Sequence, residues 1–362
     1  MFQRKRWIIN AVLIGLCIAI NIYSKNSERV EAGYYTHFYQ GFAAILRKIF
    51  GWLAFSIGDI IYAVIIVFLV IKLSKALQFL FKKKREITFK EKLIPSLSIG
   101  IRIFSIGYII FNIFWGINYN RQGIAAQLNL KIADYNIEEL KSINKVLVNK
   151  INICKTSLIN TKAVYPSNEI MFAKVQEAYK KVEKKYPFLH YKNGSIKKSM
   201  WGWAGNYLGF EGYYNPFTGE AQINTTVPKF TQPFTACHEV AHQLGYAKEM
   251  EANFVGYLAA AASTDTLFNY SVYTEMFNYA NRTLLIADST SALDIRKALL
   301  PAVILDFKER RKFYALHRSF IEPMVSYMYG KFLESNEQPM GILSYDEVTA
   351  FIIAYYKKYG IL

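Results

Sequence analysis

The sequence predicts a mainly α-helical chain, with three N-terminal transmembrane helices followed by an α+β domain that holds a small sheet. Of the 362 residues, 52% are hydrophobic and only 20% are charged, which excludes an intrinsically disordered chain. The apolar residues form long runs within the first third, and amphipathic helical patterns begin only after residue 120. We therefore expect a membrane anchor at residues 1–119 and a separately folded domain at residues 120–362.

Three apolar runs lie at about residues 7–23, 52–73 and 93–119, close to the roughly 20 residues that a helix needs to cross a bilayer. The first run follows a basic cluster at residues 4–6, as the apolar core of a signal peptide also does. No small-residue cleavage site follows Tyr23, so an uncleaved anchor is the favoured interpretation. The lipid bilayer is thus an expected partner of this chain.

The net positive charge is concentrated in the predicted anchor. Residues 1–119 hold 16 of the 44 Lys and Arg but only 5 of the 27 Asp and Glu. Such an excess among apolar runs indicates membrane topology and not nucleic-acid binding. Between the second and third runs lie the basic residues Lys82, Lys83, Lys84, Arg85, Lys90 and Lys92.

The positive-inside rule places this basic loop and the N-terminus in the cytoplasm. Three crossings then carry residues 120–362 to the extracytoplasmic side of the cell (inner, cytoplasmic) membrane. Arg47 and Lys48 would lie on the outer side in this multi-pass topology, which is the side that basic residues disfavour.

The region after residue 120 alternates helix and turn signals. Residues 134–152 have the periodicity of an amphipathic helix, and Ser167 has the position of an N-cap for a second one. Glycine, proline and aromatic residues in 201–227 predict two short strands joined by a turn, the second at residues 220–227. A further helix is expected after this second strand, and the rest of the chain is predicted to be mostly helical.

The strongest functional signal is the HExxH motif His238-Glu239-Val240-Ala241-His242. On an α-helix, residues four apart differ by about 40° in direction and roughly 6 Å along the axis, so both imidazoles can bind one tetrahedral zinc ion. Glu239 points to the neighbouring face, where its carboxylate can act as the general base of a metallopeptidase. The extended segment before this helix suits such a site, because an edge strand can hold the backbone of a substrate.

A third protein ligand must come from the helix expected after Gly245, which has the position of a C-cap glycine. The candidates are Glu249 and Glu251, and because they point to opposite sides of the helix, only one of them can bind this metal. Glu249 shares a face with Asn253, whose amide could hydrogen-bond a ligand histidine. This arrangement favours Glu249.

The run Glu249-Met250-Glu251-Ala252-Asn253 resembles the ExxAD or ExxAN element that follows HExxH in gluzincins, including membrane-bound CAAX-processing-type and heat-shock metalloproteases. This resemblance implies a zincin-like (gluzincin) fold with Glu249 as the third zinc ligand, and Asn253 stands where many members have Asp. The whole chain also resembles an uncharacterised bacterial family that joins N-terminal membrane helices to an outer HExxH domain. The matching stretches are residues 115–119 with Arg121, residues 216–221, residues 238–245 and residues 251–254.

The remaining candidates carry weaker signals. A zincin usually needs a donor that stabilises the oxyanion, and Tyr345 and His317 are the candidates for this catalytic role. The charged run at residues 308–312 has the pattern of a solvated helix face. The three cysteines form no CxxC pair, so neither a disulfide framework nor a Cys-ligated zinc site is indicated.

Together these residues predict a membrane-anchored zinc metallopeptidase, a hydrolase that cleaves extracytoplasmic proteins or peptides with Zn²⁺ as its cofactor. The alternative is a non-catalytic, zinc-containing module that binds an envelope protein. Intact Glu239 favours the enzyme, since structural zinc needs no base and usually has four protein ligands. Proteolysis within the bilayer is excluded, because the glutamates around the motif would be costly in lipid.

Overall fold

The computed structural model describes residues 2–81, 89–341 and 347–362, and within these ranges the chain is mainly helical with a small three-stranded sheet. The α-helices are, in chain order, α1 (Phe2–Ser24), α2 (Ser27–Arg29), α3 (Gln40–Phe50), α4 (Ile57–Phe81), α5 (Phe89–Phe114), α6 (Gly123–Gln127), α7 (Ile137–Asn160), α8 (Asn168–Glu183), α9 (Gly202–Leu208), α10 (Gln232–Gln243), α11 (Glu249–Ala262), α12 (Thr266–Ala287), α13 (Ser289–Lys297), α14 (Pro301–Leu316), α15 (Glu322–Glu334) and α16 (Val348–Tyr359). A π-helix covers Val30–Tyr39, 3₁₀ helices cover Gly116–Asn120 and Pro187–Leu189, and the strands are β1 (Ile196–Lys198), β2 (Gly212–Asn215) and β3 (Glu220–Ile223).

The chain divides into two compact units. The first comprises Met1–Tyr39 and Ile57–Arg121, and the second comprises Gln40–Ser56 and Gln122–Leu362. Sequence analysis assigned residues 40–56 to the anchor region, whereas their contacts group them with the second unit.

The first unit holds the helices of membrane-spanning length. Within the described ranges, three helices contain windows that are long and apolar enough to cross a membrane, namely Arg6–Ser24, Ile57–Lys75 and Ser96–Phe114. The prediction of three such N-terminal helices is therefore confirmed. Helix α4 begins at Ile57 and not near residue 52, because residues 51–55 form turns and bends.

Several buried polar side chains of the first unit have hydrogen-bond or ion-pair partners. Asn10 of α1 donates from Nδ2 to the carbonyl oxygen of Ser98 (3.0 Å) and to Ser98 Oγ (2.9 Å) on α5. Arg121 forms a two-pronged ion pair with Glu31, with nitrogen–oxygen distances of 2.8 and 2.9 Å. Such pairing is needed because a buried polar group without a partner costs free energy.

Residues 40–56 contribute a helix and a loop to the second unit. Arg47 of α3 is buried, and its Nη1 donates to the carbonyl oxygen of Gln243 (2.8 Å) at the last residue of α10. Lys197 Nζ donates to the carbonyl oxygen of Gly51 (2.9 Å), and Ser56 Oγ donates to a carboxylate oxygen of Glu220 (3.1 Å). Arg47 therefore binds the unsatisfied carbonyl end of a helix.

The sheet has the strand order β1-β3-β2, so the central strand is β3. β2 pairs antiparallel with β3 through a tight turn, as the sequence predicts, and β1 pairs parallel with β3. The predicted strand at 220–227 ends at Ile223 because Asn224 turns the chain, with its Oδ1 accepting from the Thr226 amide (3.1 Å). β1 has only three residues, too few for a periodic signal in the sequence.

The core of the second unit surrounds α10, of which every residue is buried. Helix α11 packs against it closely at Gly256, where a Cβ atom would lie 3.0 Å from the His238 backbone nitrogen. The small side chains Ala252, Ala259 and Ala260 on α11 are also fully buried. The sequence Gly-x-x-Ala-Ala along α11 thus allows this helix to approach the motif helix closely.

Candidate metal centre

Three side chains of the second unit converge on one point. One ligand atom from each of His238, His242 and Glu249 lies within 4.8 Å of the others, and all three residues are buried. His238 Nε2 lies 3.3 Å and His242 Nε2 lies 3.7 Å from Glu249 Oε2. These three atoms could hold a metal ion.

Local sequence explains how the two histidines come together. Their spacing of four residues on α10 brings the ring centroids to 4.7 Å, with the rings nearly perpendicular at 89°. Gly245 then ends the helix with a left-handed φ of 81°, a conformation that glycine adopts without strain. The turn carries the Tyr246 carbonyl oxygen to 2.7 Å from His242 Nδ1, so Nδ1–H donates there and Nε2 faces the cluster.

Glu249 is the first residue of α11, and the structure brings it, and not Glu251, to the histidines. The carboxylate of Glu251 lies instead against Gly123, where a Cβ atom would be 1.8 Å from Oε1. Asn253 is buried, but no hydrogen bond joins it to a histidine. Among the described residues, Asn253 Nδ2 and His238 Nδ1 both lack a hydrogen-bond partner.

Two residues that sequence reasoning missed hold Glu249. The Tyr329 hydroxyl of α15 donates to Glu249 Oε1 (2.6 Å), and the Glu249 amide donates to Gln338 Oε1 (2.8 Å). Tyr329 is one of 27 tyrosines and lies 80 positions from Glu249 along the chain. No local pattern in the sequence could have identified either contact.

Glu239 lies on the adjacent face of α10, against the edge strand β2. A Cβ atom on Gly212 would be 2.7 Å from Glu239 Oε1, and Glu239 Oε2 has no hydrogen-bond partner within the described part of the chain. Burial raises the pKa of Glu239 to about 7; the two histidines oppose this rise and Glu249 adds to it. A buried carboxylate that exchanges a proton near neutrality has the property that a general base requires.

The charges of the cluster stabilise one another. Burial by itself would lower the pKa of His242, but the nearby Glu249 carboxylate raises it to about 9. Burial likewise opposes ionisation of Glu249, but the two histidines hold its pKa well below the usual range. The Glu249 carboxylate is therefore ionised beside two histidines, and its negative charge favours a positive charge at the centre of the cluster.

Of the two weaker candidates, only His317 lies in the described part of the chain, and it is not part of the cluster. Tyr345 falls outside the described residues. His317 packs against the rings of Phe313 (4.4 Å between centroids) and Tyr207 (5.1 Å), and its Nδ1 lies 2.8 Å from the Phe313 carbonyl oxygen. His317 therefore has the environment of a packed histidine at the end of α14.

A network of charges lies beside Gly212 and α10. Arg310 pairs with Glu275 (2.5 Å) and with Glu211 (3.1 Å), and Glu211 also accepts from Tyr314 and from Thr235 Oγ1 (3.1 Å). Arg310 belongs to the charged run that the sequence suggests is a solvated helix face. That interpretation is wrong for Arg310, because its position on α14 turns it inward toward two carboxylates.

The chain was compared with protein families, curated proteins and solved structures. No curated protein and no solved structure matches the chain. The model of the family described as protein of unknown function (DUF3810) matches residues 34–353, a span that includes two of the three apolar helices and all three residues of the metal cluster. The chain therefore belongs to the DUF3810 family.

Proposed function

We propose that the second unit is a gluzincin-like zinc metallopeptidase domain that hydrolyses peptide bonds in extracytoplasmic proteins or peptides. The observation that carries this proposal is the convergence of His238, His242 and Glu249, with Glu239 next to them on the same helix. Two histidines and one glutamate are the ligand set of catalytic zinc sites that keep a coordination position open. The small sheet beside α10 supports a zincin-like fold.

The protein groups present fit a zinc ion. Glu249 Oε2 is buried without a hydrogen-bond partner within the described ranges, although it faces two imidazole nitrogens. His242 donates from Nδ1 to a backbone carbonyl, which is the outer contact that metal-binding histidines usually make. A zinc ion held by His238, His242 and Glu249 would polarise the scissile carbonyl and make water more acidic.

The chain's own residues would carry the proton transfers. In this proposal Glu239 accepts a proton from the attacking water and delivers it to the leaving amine. An extended substrate would pair with the outer edge of β2, whose other edge is occupied by β3. Since Gly212 of β2 abuts Glu239, that pairing would bring a peptide backbone beside the base. Tyr345 stays our proposed oxyanion donor.

Chain connectivity supports the extracytoplasmic location. The second unit is built from segments on both sides of the α4–α5 pair, so the chain must leave and return to the same side between Ser56 and Gln122. Two crossings by α4 and α5 satisfy this requirement. The basic residues between them would then lie in the cytoplasm, with the second unit outside the cytoplasmic membrane.

The test is hydrolysis by the detergent-solubilised full chain. Wild type and Glu239→Gln are incubated with an unstructured protein or a peptide library, and zinc content is measured on both. Because glutamine cannot accept the proton, we expect the rate to fall on the order of 10²–10⁴-fold with about one zinc per chain retained. Glu177→Gln, at an exposed position of α8, is the matched control and should behave as wild type.

Two outcomes would overturn the peptidase proposal. One is a zinc-loaded wild type that cleaves no substrate, and the other is a Glu239→Gln variant as active as wild type. A non-catalytic module that binds an envelope protein through a zinc-stabilised fold would then be the better description.

A further inference from the structure

We propose that Tyr329 is a positioning residue that orients the Glu249 carboxylate for metal binding. This inference rests on the proposed zinc site and adds to it a residue from a helix that carries none of the ligands. Its basis is the hydrogen bond from the Tyr329 hydroxyl to Glu249 Oε1 (2.6 Å).

The two oxygens of Glu249 have different partners. Oε2 faces both histidine Nε2 atoms, at 3.3 and 3.7 Å, while Oε1 accepts from Tyr329. The terminal torsion of a glutamate is broad, so a carboxylate without a second contact would rotate. A hydrogen bond to one oxygen fixes the plane of the group and leaves the other oxygen aimed at the cluster.

The backbone of Glu249 is held by the same part of the chain. Lys248 occupies the N-cap position of α11 without making a side-chain cap hydrogen bond. The side chain of Gln338, which is fully buried, accepts from the Glu249 amide instead (2.8 Å). Helix α15 and the turn after it thus hold both the carboxylate and the amide of this residue.

Within α15, the ring of Tyr329 stacks on Phe332, with 6.0 Å between the ring centroids. The Tyr329 side chain is 38% exposed, and the buried residues of α15 are Gly330 and Leu333. The phenol therefore reaches a buried carboxylate from a helix that is mostly exposed. A hydrogen bond to an ionised acceptor is stronger than one between neutral groups, so this contact is strong enough to restrain the Glu249 carboxylate.

The experiment measures zinc affinity in the solubilised full chain by competition with a chelator. Removing an outer hydrogen-bond partner of a metal ligand typically lowers affinity 10–100-fold, and we expect Tyr329→Phe to show a loss of about this size. Tyr327→Phe is the matched control, because Tyr327 lies on the same helix and is 67% exposed. It should keep wild-type affinity.

A second measurement uses the wild-type chain alone. Coupling between two sites is reciprocal, so zinc must stabilise the contact between α15 and Glu249 by the same factor. Amide hydrogen exchange in α15 should therefore slow when zinc is added, and should slow less in Tyr329→Phe. This measurement stays decisive for wild type if the variant does not fold.

The outcomes separate this inference from the proposed function. Equal zinc affinity of wild type and Tyr329→Phe, or zinc-independent exchange in wild-type α15, overturns the positioning role while the zinc site stands. A wild type that binds no zinc overturns both. A matching loss in Tyr327→Phe would show that α15 acts only through its general packing, and that also overturns the positioning role.

Discussion

Replacing Gly212 with alanine should displace the proposed general base, Glu239, and lower the rate of catalysis while changing the stability of the fold little. A Cβ atom at residue 212 would lie 2.7 Å from Glu239 Oε1, 2.9 Å from Glu239 Cγ and 3.0 Å from Thr235 Cγ2. Nonbonded heavy atoms of this kind prefer separations of about 3.5–4.0 Å. The Glu239 carboxylate must therefore move by roughly 0.8 Å.

This displacement should affect catalysis far more than folding. A misplacement of about 1 Å at a reacting centre can cost roughly 10²-fold in rate, so kcat/KM should fall by about that factor. Gly212 has no positive φ, so alanine fits its backbone, and the nearest atom is the end of a flexible side chain. The free energy of unfolding should therefore change by no more than about 1 kcal/mol.

The assay compares kcat/KM on a peptide substrate, zinc content and Tm for wild type and Gly212→Ala. Gly41→Ala is the control, because a Cβ atom there would meet no atom within 4 Å. Wild-type kcat/KM in Gly212→Ala would refute the argument that β2 sets the position of Glu239. Loss of zinc would also contradict it, because the three ligands do not touch residue 212.

Three further predictions address the ligands, the charge network and the topology. Glu249→Ala should lower zinc affinity more than Glu251→Ala, since only the Glu249 carboxylate faces the histidines; retained zinc in the first variant with loss in the second would reverse the assignment. Arg310→Ala removes the cation that pairs with two carboxylates and should destabilise the chain by about 3 kcal/mol in denaturant unfolding. The exposed Lys312→Ala should change little, and equal effects of the two variants would contradict the role of the network. A reporter active only outside the cytoplasm should work when fused after Ala125, and activity of a cytoplasm-only reporter at that point would refute the proposed topology.

Local patterns were sufficient for much of the fold. The lengths of the apolar runs predicted the three helices of membrane-spanning length, because span depends on consecutive apolar residues. The N-terminus of α7 has the capping box that its sequence allows, with Asn136 and Glu139 bonded reciprocally. Ser167 caps α8 with a single hydrogen bond, its side chain accepting from the Ile170 amide. Each of these features depends on residues within one or two helical turns.

The sequence by itself determined that His238 and His242 share one face of a helix, with Glu239 on the next face, because helical periodicity acts over four residues. Only the tertiary structure decided the rest of the candidate site. It brought Glu249 to the histidines and turned Glu251 toward Gly123. The contacts of Glu249 with α15 and the turn after it join positions 80 and 89 residues apart. The bond from α3 to the end of α10 joins positions 196 residues apart. Contacts over such distances depend on how whole helices pack, and no periodicity within a single helix encodes that packing.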